Sequence, residues 1–129
     1  MGQTLDMLLG ADPVKIKDIP TGKMEIKRLS QKLGQPFVVT FRAGTFEEIR
    51  SIGENANGSE AEEMKWSVYE LTTDPNLKDK SLREKYGVTR PVDIVDSIFL
   101  GGEIILLYQA IMKLSGFDQE TATVETVKN

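Results

Sequence analysis

The feature that most constrains the fold is an apolar helix near the end of the chain, predicted over residues 103–115 and ended by Gly116. At 100° per residue, its apolar side chains cover so wide an arc that only Gln109 and Lys113 clearly face water. A helix that is hydrophobic almost all round is ordinarily buried. The sequence therefore favours a domain built around this helix, with the alternative that part of the arc is kept for a partner.

The apolar side chains of this helix are expected to have two roles, one in the core and one in partner binding. One side carries Ile104, Leu107, Tyr108, Ile111 and Leu114, and the arc is widened by Ile105, Leu106, Ala110 and Met112. Ile104 and Ile111 are expected to lie in the core. The candidate partner-binding residues on this helix are Ile105, Tyr108 and Met112.

Cysteine and histidine are both missing from the 129 residues. Thiolate nucleophiles, redox pairs, Ser-His-Asp catalysis and most zinc sites therefore cannot be built from this chain. The net charge of -4 argues against nucleic acid as a partner, because phosphate backbones are bound by clustered Lys and Arg. Any catalysis would have to use carboxylates, Lys or Tyr.

Two short motifs resemble ligand sites but lack the required frame. Gly101-Gly102 has neither the preceding strand nor the Lys of a phosphate-binding loop. The spacing of Asp74, Asn76 and Asp79 departs from that of a calcium loop. Paired carboxylates elsewhere lie at predicted helix N-termini, where the helix dipole favours negative charge. No catalytic, cofactor-binding or metal-binding residue is predicted, and no cofactor.

The first 22 residues are predicted to form an arm and a linker. Thr4 can cap a short apolar turn over residues 5–9, and residues 13–22 contain two prolines with alternating charge. The leucines of the turn, Leu5, Leu8 and Leu9, could contact the same molecule or a neighbouring one. No apolar run approaches the length that crosses a bilayer, so no membrane association is expected.

A small antiparallel sheet is predicted next. Residues 23–29 alternate in polarity, residues 36–43 contain the β-forming run F-V-V-T-F, and Gly34-Gln35 between them suggests a hairpin turn. Arg28 and Arg42 would then form an exposed basic pair on the two strands. A hairpin alone is marginal, so a third strand or a helix should cover it.

Residues 65–73, K-W-S-V-Y-E-L-T-T, are the candidate third strand, because they are rich in aromatic and β-branched side chains. The alternative is a helix, which the three- and four-residue apolar spacing supports almost as well. The residues that define this spacing are Ala61, Met64, Val68 and Leu71. The strand interpretation is preferred.

Three predicted helices begin with a Ser or Thr followed three residues later by Glu, the pattern of a capping box. The pairs are Thr45 with Glu48, Ser59 with Glu62, and Ser81 with Glu84. The first helix is expected to end at Gly53 and the third at Gly87. A further helix from Pro91 is expected to break at Gly101-Gly102.

These elements predict an α+β fold that is mainly helical. A small N-terminal antiparallel β-hairpin or three-stranded sheet would pack on a helical C-terminal half. A single globular domain is expected over residues 23–117. Residues 118–129 have no aromatic residue and no helical stripe, which is typical of a flexible tail.

An ordered series of short motifs runs along most of the chain. They are I-K-R-L-S (26–30), F-V-V-T-F-R-A (37–43), F-E-E-I (46–49), D-P-N-L-K-D-K-S-L-R-E-K-Y-G-V (74–88), P-V-D-I-V-D (91–96), F-L-G-G-E-I (99–104) and L-S-G-F (114–117). Over residues 5 to 117 this series resembles the XkdN-like tail assembly chaperones of tailed phages and prophages of Gram-positive bacteria. One departure is F-L-G-G-E, where F-L-P-G-E is typical of the family.

The resemblance implies a non-catalytic protein of the host bacterial cytoplasm that binds the tape measure protein. It would keep that protein soluble and assist assembly of the tail tube, with the tail tube protein as a second partner. Homo-oligomerisation stays open. The alternative is a small structural protein of the virion tail, either a tube or a completion component.

Overall fold

The computed structural model describes residues 2–118 and 120–127, and Met1, Gln119, Lys128 and Asn129 lie outside the described residues. The α-helices are α1 (Gln3–Leu9), α2 (Pro13–Ile16), α3 (Lys27–Leu33), α4 (Phe46–Ala56), α5 (Glu60–Leu71), α6 (Lys80–Lys85), α7 (Ile94–Ile98) and α8 (Gly101–Leu114), and a 3-10 helix (Pro91–Asp93) leads directly into α7. The strands are β1 (Thr21–Glu25), β2 (Val38–Arg42) and β3 (Thr72–Asp74). The predicted fold class, α+β and mainly helical, is confirmed.

The sheet has the order β1-β2-β3 and is antiparallel throughout. The two strands predicted from residues 23–43 do pair, with Met24 opposite Val39. The hairpin turn at Gly34-Gln35 was a wrong prediction, because α3 occupies most of the connection between them. Gly34 instead ends α3 in the left-handed conformation, with a φ of 77°, where a glycine avoids the clash of a Cβ atom.

The strand predicted for residues 65–73 was also wrong over most of its length. These residues continue α5, which buries Ser67, Val68 and Leu71. The third strand begins only at Thr72 and pairs with β2 across an irregular register near Thr40. The apolar spacing of α5 therefore prevails over the β propensity of its aromatic and branched residues.

Two of the three predicted helix starts are confirmed. Thr45 forms a reciprocal capping box with Glu48, and Ser59 accepts a hydrogen bond from the backbone N–H of Glu62. The third helix begins earlier than predicted, with Asp79 as its cap in place of Ser81. The predicted end of the first helix was wrong too, because α4 continues through Gly53 to Ala56.

The core lies where α5 and α8 meet the sheet. It is a continuous cluster of buried apolar side chains, and the largest of those that are completely buried are Leu71, Leu77, Ile94, Leu107 and Ile111. The chain bends between α7 and α8 at Phe99 and Leu100, which are extended. The break predicted at Gly101-Gly102 is therefore misplaced, because both glycines belong to the first turn of α8.

The segment before the sheet contains two short helices, α1 and α2. Asp12 caps α2 by accepting from the backbone N–H of Val14 at 3.0 Å, and Pro13 occupies the first helical position. Neither α1 nor α2 contains a buried residue.

Candidate partner-binding surface

The sides of α8 have different surroundings. Ile104, Leu107 and Ile111 are buried against α5 and the sheet. Ile105 keeps 42% of its surface exposed and Leu106 56%, although both are large apolar side chains. Only part of the apolar arc is therefore used by the core.

Ile105, Tyr108 and Met112 lie on one side of α8, because residues at positions i, i+3 and i+7 follow one face of a helix. Tyr108 and Met112 are half-buried and line an open groove with a volume of about 650 Å³. Ile49 of α4 and Glu63 of α5 also line this groove. The remaining lining residues are Gln109, Lys113, Phe117, Asp118 and Glu120.

The groove combines apolar walls with carboxylates. The Tyr108 hydroxyl lies 3.5 Å from Glu63 Oε1, at the outer limit for donating a hydrogen bond. Burial, and next the negative charges of Glu63 and Glu60, raise the pKa of Tyr108, so its phenol stays protonated near neutral pH. Lys113 brings a positive charge, but its Nζ atom lies 3.8 Å from Asp118 Oδ2. The groove therefore has a negative electrostatic bias.

The first turn of α8 is fixed by a long-range ion pair. The Nε and Nη2 atoms of Arg28 donate to the two oxygens of Glu103 at 2.9 Å each, and Nη2 also donates to the Ile98 carbonyl at 2.8 Å. Glu103 in addition accepts from the backbone N–H of Leu100 at 2.8 Å. The hydrogen bonds from Arg28 are the main reason why the pKa of Glu103 is lowered.

This pair corrects the prediction that Arg28 and Arg42 form an exposed basic pair. Arg28 joins α3 to α8, while Arg42 donates to Glu48 and to the Ala43 carbonyl. The hydrogen bonds from Arg42 lower the pKa of Glu48 to about 2. Both guanidinium groups therefore hold elements of the domain together.

A second charge cluster joins α5 to the start of α7. Lys65 Nζ lies 2.7 Å from Asp93 Oδ1 and 2.6 Å from Asp96 Oδ2, and Arg90 contacts both Asp93 and Glu62. Hydrogen bonds from Arg90 and then Lys65 lower the pKa of Asp93. These carboxylates are engaged by cations, so the cluster is suited to holding two helices together.

The leucines of α1 stay apart from the groove. Leu5, Leu8 and Leu9 are all exposed, Leu9 by 74%, and none of them belongs to the groove lining. The six residues predicted from sequence therefore divide into two surfaces, three on α1 and three on α8. Glu63 and Ile49, which complete the groove, were not predicted.

The described part of the chain also bears on metal binding and on membrane crossing. No group of three or more Asp or Glu side chains is arranged to hold a metal ion there. No single helix in it has the length and apolar composition to cross a membrane, whereas the bent pair Pro91–Ile98 and Gly101–Leu114 meets that test by length and composition only.

Two comparisons with known proteins found a match, one to a family of sequences and one to a solved structure. The sequence model of a family described as phage XkdN-like tail assembly chaperone protein matches residues 5–128. The crystal structure of the protein yqbn is similar, with a TM-score of 0.62 and 25% sequence identity. That similarity covers 84% of this chain and 98% of yqbn. No curated protein matches.

Proposed function

The chain belongs to the XkdN-like tail assembly chaperone family, and from this membership we propose that it binds the tape measure protein and keeps it soluble. In this role it assists assembly of the tail tube around the tape measure protein, in the host bacterial cytoplasm, with the tail tube protein as a second partner. It acts by binding and not by catalysis.

The observation that best supports this proposal is the apolar side of α8 that the core leaves uncovered. A soluble chain normally buries large apolar side chains, and contiguous exposed ones mark interaction sites. Ile105, Tyr108 and Met112 share this side, and the last two open into a groove large enough for several side chains of a client. We assign client binding to this side of α8.

The test is co-expression with the tape measure protein of the same phage. We expect the parent chain to keep the tape measure protein in the soluble fraction, and Ile105→Asp and Met112→Asp to lose this effect. Leu106→Asp is the matched control, because Leu106 is also an exposed apolar residue of α8 and lies about 100° around the helix from Ile105. Circular dichroism and urea melts of each variant verify that the fold is kept.

If both variants keep the tape measure protein as soluble as the parent does, this side of α8 is not the client site. If the parent itself has no effect, binding of the tape measure protein is wrong. Recovery of the chain from purified particles would favour the alternative role as a structural protein of the tail.

A further inference from the structure

The walls of the groove determine which backbone conformation an occupant can have. Its lining residues come from α4, α5 and α8 and from Phe117, Asp118 and Glu120, and none of these described residues belongs to a strand. An extended segment gains affinity by pairing its backbone with such an edge. This groove offers an occupant no strand edge to pair with, which favours a helix, because a helix satisfies its own backbone N–H and C=O groups.

The charges of the groove determine which side chains fit its rim. Lys113 and Asp118 largely offset each other, which leaves the carboxylates of Glu63 and Glu120. Within the described part of the chain, Glu63 has no Lys or Arg partner within ion-pair distance. Glu63 is half-buried beside Tyr108, where a charge is less screened by water than on an open surface.

We propose that the groove binds an amphipathic helix whose apolar face lies on Tyr108, Met112 and Ile49 and whose edge carries a Lys or Arg opposite Glu63. This inference rests on the proposed function, since the helix is then a segment of the tape measure protein. Apolar residues of the client at positions i, i+3 or i+4 and i+7 provide the contact area. The basic residue gives orientation and speeds association.

The inference is tested with two synthetic peptides that have identical Leu positions on a helical repeat. The Leu-Lys peptide has Lys at the remaining positions, and the Leu-Glu peptide has Glu there. Each peptide has about 20 residues, so that its helix is stable enough to dock. Isothermal titration calorimetry should show binding of the Leu-Lys peptide to the parent chain about 10-fold more tightly than the Leu-Glu peptide. The difference should shrink at high salt.

Three variants separate charge from shape. Glu63→Gln keeps the size of the side chain. We expect it to lower the affinity for the Leu-Lys peptide by about 5-fold and not to lower the affinity for the Leu-Glu peptide. Met112→Asp should lower the affinity for the Leu-Lys peptide, because apolar contact is lost. Glu84→Gln is the matched control, an exposed carboxylate on α6 whose neutralisation should change affinity by less than about 2-fold.

Equal binding of both peptides, or no effect of Glu63→Gln, overturns the inference. It is also overturned if neither peptide binds and the parent chain self-associates through the groove, shown by light scattering in which Met112→Asp restores the monomer. The proposed function is judged separately, because it fails only if the parent does not keep the tape measure protein soluble. If the parent does so and Glu63→Gln does equally well, the basic helix is wrong and the chaperone role remains.

Discussion

Helices α8 and α1 are both rich in large apolar residues, yet they have opposite environments. Leu107 and Ile111 of α8 are completely buried, whereas α1 contains no buried residue and Leu8 is 59% exposed. The apolar composition of a helix therefore does not decide whether it enters the core. The elements that surround it do, because burial needs apolar surface on a neighbouring element.

The surroundings of α8 explain the difference. It packs against α5 and against β1 and β2, so its inner side chains contact two layers of the domain. Arg28 adds a polar link at its first turn. Its outer side has no such cover, and there Ile105 resembles the leucines of α1 more than it resembles Ile111.

The largest effect that tests this comparison is expected from Ile111→Ala. The side chain is fully buried, so its removal leaves a cavity and should cost about 2–5 kcal/mol of unfolding free energy. Leu8→Ala on α1 should cost less than about 0.5 kcal/mol, because its side chain is mostly in water already. Urea melts of the two variants measure both values.

Equal losses in these two variants would mean that α1 is buried in solution, either against the domain or against another copy. Repeating the melts at several protein concentrations separates the two cases, since only association depends on concentration. A small loss for Ile111→Ala would instead contradict the position of α8 in the core.

An intermediate effect is expected from Glu103→Gln. This change removes the negative charge and replaces one of the two oxygens that accept from Arg28 with an NH2 donor, and it weakens the hydrogen bond from the Leu100 N–H, so it loosens the first turn of α8. The loss of stability should exceed that of Leu8→Ala and stay below that of Ile111→Ala. Arg50→Gln is the control, because its pairs on α4 are exposed to solvent.

The pH dependence gives this prediction a second measurement. Arg28 lowers the pKa of Glu103 below its ordinary value of 4.5 in the folded chain. The stabilisation is therefore complete above about pH 4.5 and is lost as the pH falls through the lower, folded-state pKa. Melts of the parent and of Glu103→Gln should converge at acid pH. A gap that stays constant would show that the carboxylate charge has no role.

Local chemistry made much of the fold predictable from sequence. The caps at Thr45 and Ser59 follow from a side-chain oxygen and a backbone N–H three residues apart, and both are present. Residues 65–73 were misassigned because their composition favours a strand while their spacing favours a helix. Burial of Val68 and Leu71 against the core decides between the two, and burial is a property of the whole fold.

The candidate site was predictable only in part. Tyr108 and Met112 were expected from the periodicity of their own helix. Glu63 reaches Tyr108 across a separation of 45 residues, and Arg28 reaches Glu103 across 75. A single sequence shows periodicity within an element but not which elements become neighbours, so the carboxylate wall of the groove could not be anticipated.

The smallest effect is expected from deletion of residues 118–129, a third region to compare with α8. Within it, residues 120–127 form no helix or strand, and Val124 and Val127 are almost fully exposed. The deletion should therefore lower the unfolding free energy by less than about 1 kcal/mol. A larger loss in a urea melt would show that the segment is docked and that the domain extends beyond residue 117. Because Asp118 and Glu120 line the groove, the same deletion should lower the affinity for the Leu-Lys peptide while the unfolding free energy is kept. Binding and folding are then separated in one variant.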